Sequence, residues 1–549
     1  MGKTTTVVIA PAIPPPELSA SSSITSGPDR GACLAEEAQH DDAMSKGKTV
    51  VVISSVTCIT GISSLLAGVV TVCIPAMARD VNLESNLLLW PASVYALTCG
   101  CTLLLSGAMA DLFGARLLYL LGCFFQSAFT LACGLATTGI QLILFRAFAG
   151  VAISMCLPSA VSIITHAFPS GRRRNIAFAS MGGGQPIGFS IGLSVGGVFT
   201  DTIGWRWGFH IAAIANTVIF LVALRWLPGL GRREPVTWKR FATEVDWVGA
   251  FLASGFLAMV SYVLSVITES THEVKKPENI ALLAVSALLM ASFVAWVGRR
   301  ERLGRPAIIP NSLWKNRSFT SICVSVFMVW GAFNATEQLS SFWLQYVQRL
   351  SAIDTSVRFL PAPVGGVLAN VVAGLVVHRV RADLAILISV ALAALSPLLM
   401  AVADPAWNYW YCVFWAMFTN AIGADTLFTI SNLLITSLFP ARTHGVAGGV
   451  YNTIAQIGKS VGLASSGAIA SAVTAKLAKL AKSAATAGGV GVVAARAGTG
   501  AGADGQSPMA LLKGYRAAFW YCFALYGATL VVTVWGLRKI GKVGVKKDQ

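Results

Sequence analysis

Charge is scarce in this sequence. Only 12% of its 549 residues are Asp, Glu, Lys or Arg, against roughly a quarter in soluble globular domains. A chain that is 55% hydrophobic, with mean hydropathy +0.68, cannot turn most of its surface to water. Cysteine motifs are also missing. All of the eleven cysteines except Cys33 sit in apolar stretches, and no Cys-x-x-Cys or Cys/His spacing occurs, which argues against a disulfide framework and against zinc. "MGKTTT" at the start imitates part of a P-loop but has neither the strand nor the upstream glycine that phosphate cradling needs. No nucleophile–base pair or metal-ligand cluster stands out, so neither an enzyme nor a bound cofactor is expected.

What the sequence does have is long apolar runs. About 20 such residues cross a bilayer as helix, and fourteen candidates occur: 50–74, 86–110, 115–136, 139–165, 176–199, 208–227, 246–268, 279–298, 318–346, 356–377, 383–404, 407–438, 444–472 and 518–537. They are too long, and alternate too little, for barrel strands. The expected fold class is an all-α polytopic membrane protein.

The net charge of +17 does not point to nucleic acid. With the N-terminus inside, most Lys and Arg fall on predicted cytoplasmic segments: "GRRRN" (171–175), "GRREPVTWKR" (231–240), "GRRERLGR" (298–305) and the tail "RKIGKVGVKK". That bias sets orientation in membrane proteins. The last outer loop, with Lys476, Lys479, Lys482, Arg496, Lys513 and Arg516, is the exception, and long loops cross with little regard to charge.

Composition divides the chain further. Residues 1–48 form a polar, Pro/Ser/Thr-rich tail, expected to be disordered and cytoplasmic, without a cleavable signal. Residues 49–228 would make one six-helix bundle, 229–316 a linker with two additional helices, and 317–538 a second six-helix bundle. Within the latter, 473–515 is Ala/Gly-rich and reads as a flexible outer loop, and 539–549 is a basic cytoplasmic tail. Gly2 fits a lipidation pattern that fourteen spans would make redundant. The closing "KKDQ" resembles a retrieval signal, so an endoplasmic reticulum or vacuolar membrane stands beside the plasma membrane as a location. The bundles look like copies: "GFSIGLSVG" (188–196) resembles "GKSVGLASS" (458–466), an offset of 270 that also maps the first span near the ninth. Repeated helical halves can rock about a site between them.

Gly107, Asp111, Gly114 and Arg116 form G-x-x-x-D-x-x-G-x-R between the second and third spans. Asp111 precedes a helix start, where the dipole favours an anion, and the glycines allow close approach of helix ends. In the fifth span Gly184, Gly188, Gly192 and Gly196 recur every four residues, followed by Gly197, with Gln185 and Pro186 inside the ladder. Such a stripe lets another helix pack at backbone distance, and Pro186 removes one helical bond.

Here the sequence resembles the major facilitator superfamily, more closely its fourteen-span drug:proton antiporter group and the fungal efflux members within it. The loop motif is similar to that superfamily's cytoplasmic signature. "LILFRAFAG", with Leu142, Arg146 and Gly150, resembles its fourth-span signature, and the glycine ladder its antiporter motif, with Leu193 standing where the pattern has proline. The resemblance implies two six-helix pseudo-repeats plus two inserted helices, a gate at the loop motif, and a link between Arg146 and proton transfer. Leu66, Ala67 and Gly68 stand where some bacterial relatives carry an acid, and "GLVVHR" (374–379), with His378 in place of Asp, is a degraded second copy of the loop motif.

Polar residues inside spans are read directly. Asn334, Glu337, Gln338, Ser341 and Gln345 share one face of the ninth span. Asp425, Thr429, Asn432 and Thr436 do so on the twelfth, and Asn452, Gln456 and Lys459 on the thirteenth. Polar stripes on membrane helices face protein or water, so the three are expected to line one cavity. Glu337 and Asp425 are proton-carrier candidates, Lys459 a neutralising partner or anion attractor, and each residue could equally be a structural interhelical contact. Trp330, Phe333, Trp415 and Phe418 could meet an apolar substrate or lipid. The reading is a proton-coupled exporter of a small amphipathic compound, whose partners are that substrate, protons and membrane lipid, with no nucleic acid and no obligate protein partner. An importer or vacuolar carrier of amino acids or iron chelates, and a transport-dead sensor or scaffold, are the alternatives.

Overall fold

The computed structural model describes residues 46–84, 87–168, 172–227, 246–267, 276–305, 309, 311–376, 380–438, 444–486 and 507–538. Among these residues every long element is a helix. In chain order they are α1 (Lys46–Asp80), α2 (Trp90–Phe113), α3 (Ala115–Leu135), α4 (Gly139–Ala167), α5 (Arg172–Asp201), α6 (Arg206–Trp226), α7 (Trp247–Ile267) and α8 (Pro277–Arg302). There follow α9 (Arg317–Phe342), α10 (Ala352–Phe359), α11 (Pro361–Val376), α12 (Ala382–Val402), α13 (Val413–Leu438), α14 (His444–Thr486) and α15 (Pro508–Gly536).

Helix starts and breaks follow local chemistry. Thr138, Asn316, Ser351 and Ser507 each cap a helix by accepting from a backbone N–H of its first turn. Gly114, at φ 111°, ends α2 and opens α3 in a conformation that side chains rarely adopt. Pro361 has no N–H to donate, and the chain breaks there into α10 and α11, which together make one apolar stretch, Ala352–Ala373.

Among the described residues twelve helical stretches are long and apolar enough to cross a membrane, where the sequence suggested fourteen. The two outside that set are α5 and α7. Glycine and arginine dilute α5, and only the stretch Trp247–Val260 of the apolar helix α7 is counted among the described side chains. The supposed loop at 473–515 is corrected at both ends: α14 continues through Thr486 and α15 starts at Pro508. "VTAKLAKLAKSAAT" is mostly Ala, Leu and Lys, which lose little on entering a helix. The terminal tails, most of the 229–316 linker's basic segment and His378 lie outside the described residues.

The pairing of helices repeats. In the first half α1 packs on α5 and α6, α4 on α2 and α3, and α3 on α6. In the second, α9 packs on α14 and α15, α13 on α11 and α12, and α12 on α15. The equivalence extends to the ladder glycines, with Gly458 and Gly462 lying 270 residues after Gly188 and Gly192. A side chain on Gly188 or Gly192 would strike the backbone of Gly61 or Leu65, and one on Gly458 or Gly462 would strike Phe327 or Gly331. The halves meet along α2 with α14 and α5 with α10 and α11, while α7 and α8 pair with each other and touch α2 and α14 through α7. One apolar core crosses between the halves at the predicted outer end, joining Val69, Val72 and Met77 of α1 to Leu339, Phe342, Trp343 and Phe359.

Candidate functional site

Three helices of the second half bring their charged residues together. Glu337 of α9 lies within electrostatic reach of both Lys459 of α14 and Asp425 of α13. Glu337 is buried, while Lys459 and Asp425 are half-buried. Asp425 sits beside Asn370 of α11 and against Gly366, and Asn370 in turn accepts from Thr429 Oγ1 at 2.8 Å. Charges taken out of water are costly unless paired, and here Glu337 has a cation on one helix and a second acid on another.

The first half contributes Arg146 of α4, only 3% exposed, whose charge also reaches Lys459. Its Nε donates to the Pro91 carbonyl at 2.9 Å, and its guanidinium lies 4.3 Å from the centre of the Tyr95 ring. Tyr95 shares a 2.8 Å hydrogen bond with Ser63 of α1. A carbonyl and an aromatic face thus stabilise this buried cation. Two of these side chains had no sequence signal: neither Tyr95 nor Asn370 sits on a polar stripe.

An aromatic cluster adjoins the charges. Trp330 packs edge-on to Phe333 and Phe428, with centroids 5.8 and 6.3 Å away, and Phe428 lies 5.9 Å from Tyr451. Trp330 Nε1 is buried without a hydrogen-bond partner. Trp415 instead is 52% exposed on the outside of the bundle. Phe418 lines a cavity of about 1160 Å³ near the predicted outer end, together with Arg358, Tyr409, Trp410 and Phe414. None of Glu337, Asp425 and Lys459 lines that cavity.

The remaining predicted cavity residues divide. Asn334 and Asn452 bond back within their own helices, to the carbonyls of Trp330 at 2.8 Å and Gly448 at 2.9 Å. Gln456 backs on to Gly100 of α2. Gln338, Ser341 and Gln345 all donate to carbonyls of α1 in the opposite half. Gln185 is half-buried on α5, and the side chain of Asn432 lies outside what is described. Gly184, Gly188, Gly192 and Gly196 abut α1, whereas Gly197 abuts Ser356 and Ala352 of α10 across the halves.

At the loop motif, Gly107 faces Pro158 of α4 and Arg116 donates to the Leu224 carbonyl, in the last turn of α6, at 3.0 Å. The side chain of Asp111 lies outside what is described.

Residues 56–463 match the family model of the Major Facilitator Superfamily. MFS-type transporter 1 of Pyricularia oryzae is 40% identical over 546 residues, covering 91% of this chain and 85% of that protein. Efflux pump terJ of Aspergillus terreus is 23% identical over 394 residues, covering 71% and 75%. Among solved structures, a bacterial homologue of the human lysosomal transporter Spinster, inward-facing and occupied, superposes with a TM-score of 0.61 at 16% identity, covering 90% of this chain and 98% of that one.

Proposed function

The chain belongs to the Major Facilitator Superfamily, and on that premise we propose that this transporter exports a small amphipathic organic compound in exchange for protons. It works by alternating access between halves 49–228 and 317–538, with 229–316 supplying two extra helices and α10 and α11 acting as one broken span, fourteen in all. The observation that carries the proposal is the Glu337–Lys459–Asp425 group, drawn from three helices of one half and facing Arg146 of the other.

A carboxyl group in such a site can exist charged or neutral, and the neighbouring cation favours one form according to its distance. Proton entry at Glu337 would weaken the hold on Lys459, and proton entry at Asp425 would act on Lys459 through Glu337. The freed cation and the altered charge balance opposite Arg146 then bias the halves towards the other state. The Trp330–Phe333–Phe428 rings offer apolar surface, and the unpartnered Trp330 Nε1 offers a donor, for a substrate with both characters. The naming of terJ as an efflux pump supports the outward direction, and the positive-inside bias supports a basic face in the cytoplasm, with the plasma membrane as the site of action.

Reconstitution tests it. Proteoliposomes with an imposed pH gradient are offered a panel of lipophilic drugs and natural products. Movement against the proton flow, sensitive to a protonophore and lost in Glu337→Gln or Asp425→Asn, is the expected result. Proton-driven movement that survives both substitutions would relocate the coupling site. In whole cells, loss of an exporter raises the internal substrate level, and loss of an importer lowers it.

A further inference from the structure

The polar stripe of α9 serves two places. Glu337 faces the charged group, but Gln338, Ser341 and Gln345 turn to α1. Gln338 Nε2 donates to the Thr71 carbonyl at 3.1 Å, and Ser341 Oγ donates to the same oxygen at 2.6 Å. Gln345 Nε2 donates to the Val72 carbonyl at 2.9 Å and to Ser341 Oγ at 3.1 Å. Gln338 and Ser341 are buried, so water does not compete for these bonds.

The reason that Thr71 can accept them lies four residues along. In a continuous α-helix its carbonyl would receive the N–H of residue 75, and residue 75 is Pro75, inside α1. Proline leaves the Thr71 oxygen with both lone pairs open, and two donors from the other half fill them. The acceptor is created by one bundle and satisfied by the other.

We infer that Gln338, Ser341 and Gln345 form an outer latch on the carbonyl freed by Pro75, holding the predicted outer ends of α1 and α9 together in one state of the transport cycle and releasing them in the other. These residues position the halves and do not contact substrate. The latch rests on the alternating-access reading above. It is joined by a second seam, where Ser356 Oγ donates to the Leu193 carbonyl at 2.7 Å and the Ile353 N–H to Asp201 Oδ2 at 2.8 Å. When the outer ends part, water reaches the Thr71 oxygen and replaces the lost donors, so the carbonyl is satisfied in both states. The exchange is therefore reversible, as a switch requires.

Two kinds of variant separate the latch from ordinary packing. Gln338→Leu with Ser341→Ala removes the donors. Pro75→Ala leaves the donors and restores the helical N–H, so that three donors compete for two lone pairs. Ser340→Ala is the control, because that buried hydroxyl has no partner.

Spin labels at Ile203 and Val357, 55% and 59% exposed at the outer ends of opposite halves, report the separation in lipid nanodiscs. Cys33 and the exposed Cys58 are first replaced by Ser. The expected result is a longer-distance population in both latch variants, its share relative to the closed form rising about threefold to tenfold, the range that one or two net hydrogen bonds represent. The control should keep the parent distribution. Monodisperse latch variants with the parent distribution would overturn the latch. The readout needs no transport: a shifted distribution in a protein that moves nothing would sustain the latch and sink the transport reading, and proton-driven movement with unshifted distances would do the reverse.

Discussion

Arg381, at the start of α12, donates to the Arg538 carbonyl at 3.3 Å, as Arg116, at the start of α3, donates to the Leu224 carbonyl at 3.0 Å. The helices involved are equivalent in the repeated pairing, so each half ties its third membrane helix to the end of its sixth. A cation near unsatisfied helix-end carbonyls is favourable in both places. Asp383 fixes Arg381 from the other side at 2.8 Å and holds its guanidinium above the ordinary value.

These clamps should be small and independent. Arg116→Ala is expected to lower stability by about 0.3–1 kcal/mol and Arg381→Ala, at an exposed side chain, only slightly, and their effects should add because the sites lie in different halves. Thermal unfolding of the two variants and their combination in one detergent checks this. A combined loss well above the sum would mean that the clamps are coupled through the interface between the halves.

Lys459 and Glu337 should depend on each other. Removing one member of a buried pair strands the other charge, a loss of roughly 3–5 kcal/mol in fully buried cases, and less here because Lys459 is half-buried. Lys459→Met is therefore expected to lower the unfolding temperature, and Glu337→Gln added to it should recover much of the loss. If the double variant is as unstable as Lys459→Met alone, the cation serves packing and not the acid.

How much of this was legible in the sequence depends on whether a feature leaves a residue-type signature. The glycine ladder did, because a bare stripe is needed wherever α5 meets α1, and the same need marks Gly458 and Gly462 on α14. The polar face of α9 was legible as a face, but periodicity does not say which neighbour it meets. Glu337 therefore went to the charged group while Gln338, Ser341 and Gln345 went to the seam. Arg381 carries no signature because its acceptor is a backbone carbonyl, which any residue supplies. The pairing partner of Arg116 was hidden for the same reason. The helical ends of 473–515 are masked by low complexity, although Ala and Lys have high helix propensity.

The two classes of glycine should fail differently. A methyl at Gly188 or Gly458 would strike the backbone of Gly61 or Phe327 within one half, and backbone cannot swing aside. Gly188→Ala and Gly458→Ala are expected to destabilise by about 1–3 kcal/mol, the usual range for overpacking. Gly197→Ala would strike Ser356 across the seam, and should leave each half intact while favouring separated outer ends. Unfolding temperature measures the first effect, and the Ile203–Val357 distance the second. Equal loss of stability at all three positions would refute the distinction.

Asp246 gives the last test, at the inserted pair. Its Oδ1 accepts from the Gly249 N–H at 2.9 Å, in the first turn of α7, and from Trp296 Nε1 of α8 at 2.8 Å. One carboxylate therefore caps α7 and fastens it to α8. Ser254 Oγ of α7 donates to the Cys101 carbonyl of α2 at 2.8 Å, which ties the pair to the first half. Asp246→Ala removes the cap and strands the indole N–H, so a loss of about 1–2 kcal/mol is expected. Asp246→Asn keeps an acceptor oxygen and should lose less than half of that. Hydrogen exchange in α7 and α8, measured beside proton-driven movement in proteoliposomes, distinguishes a support from a working part. The expected outcome is faster exchange in α7 with transport retained, because the charged group at Glu337 lies on α9, α13 and α14. Transport lost in Asp246→Ala while α7 remains protected would give the inserted helices a direct place in the cycle.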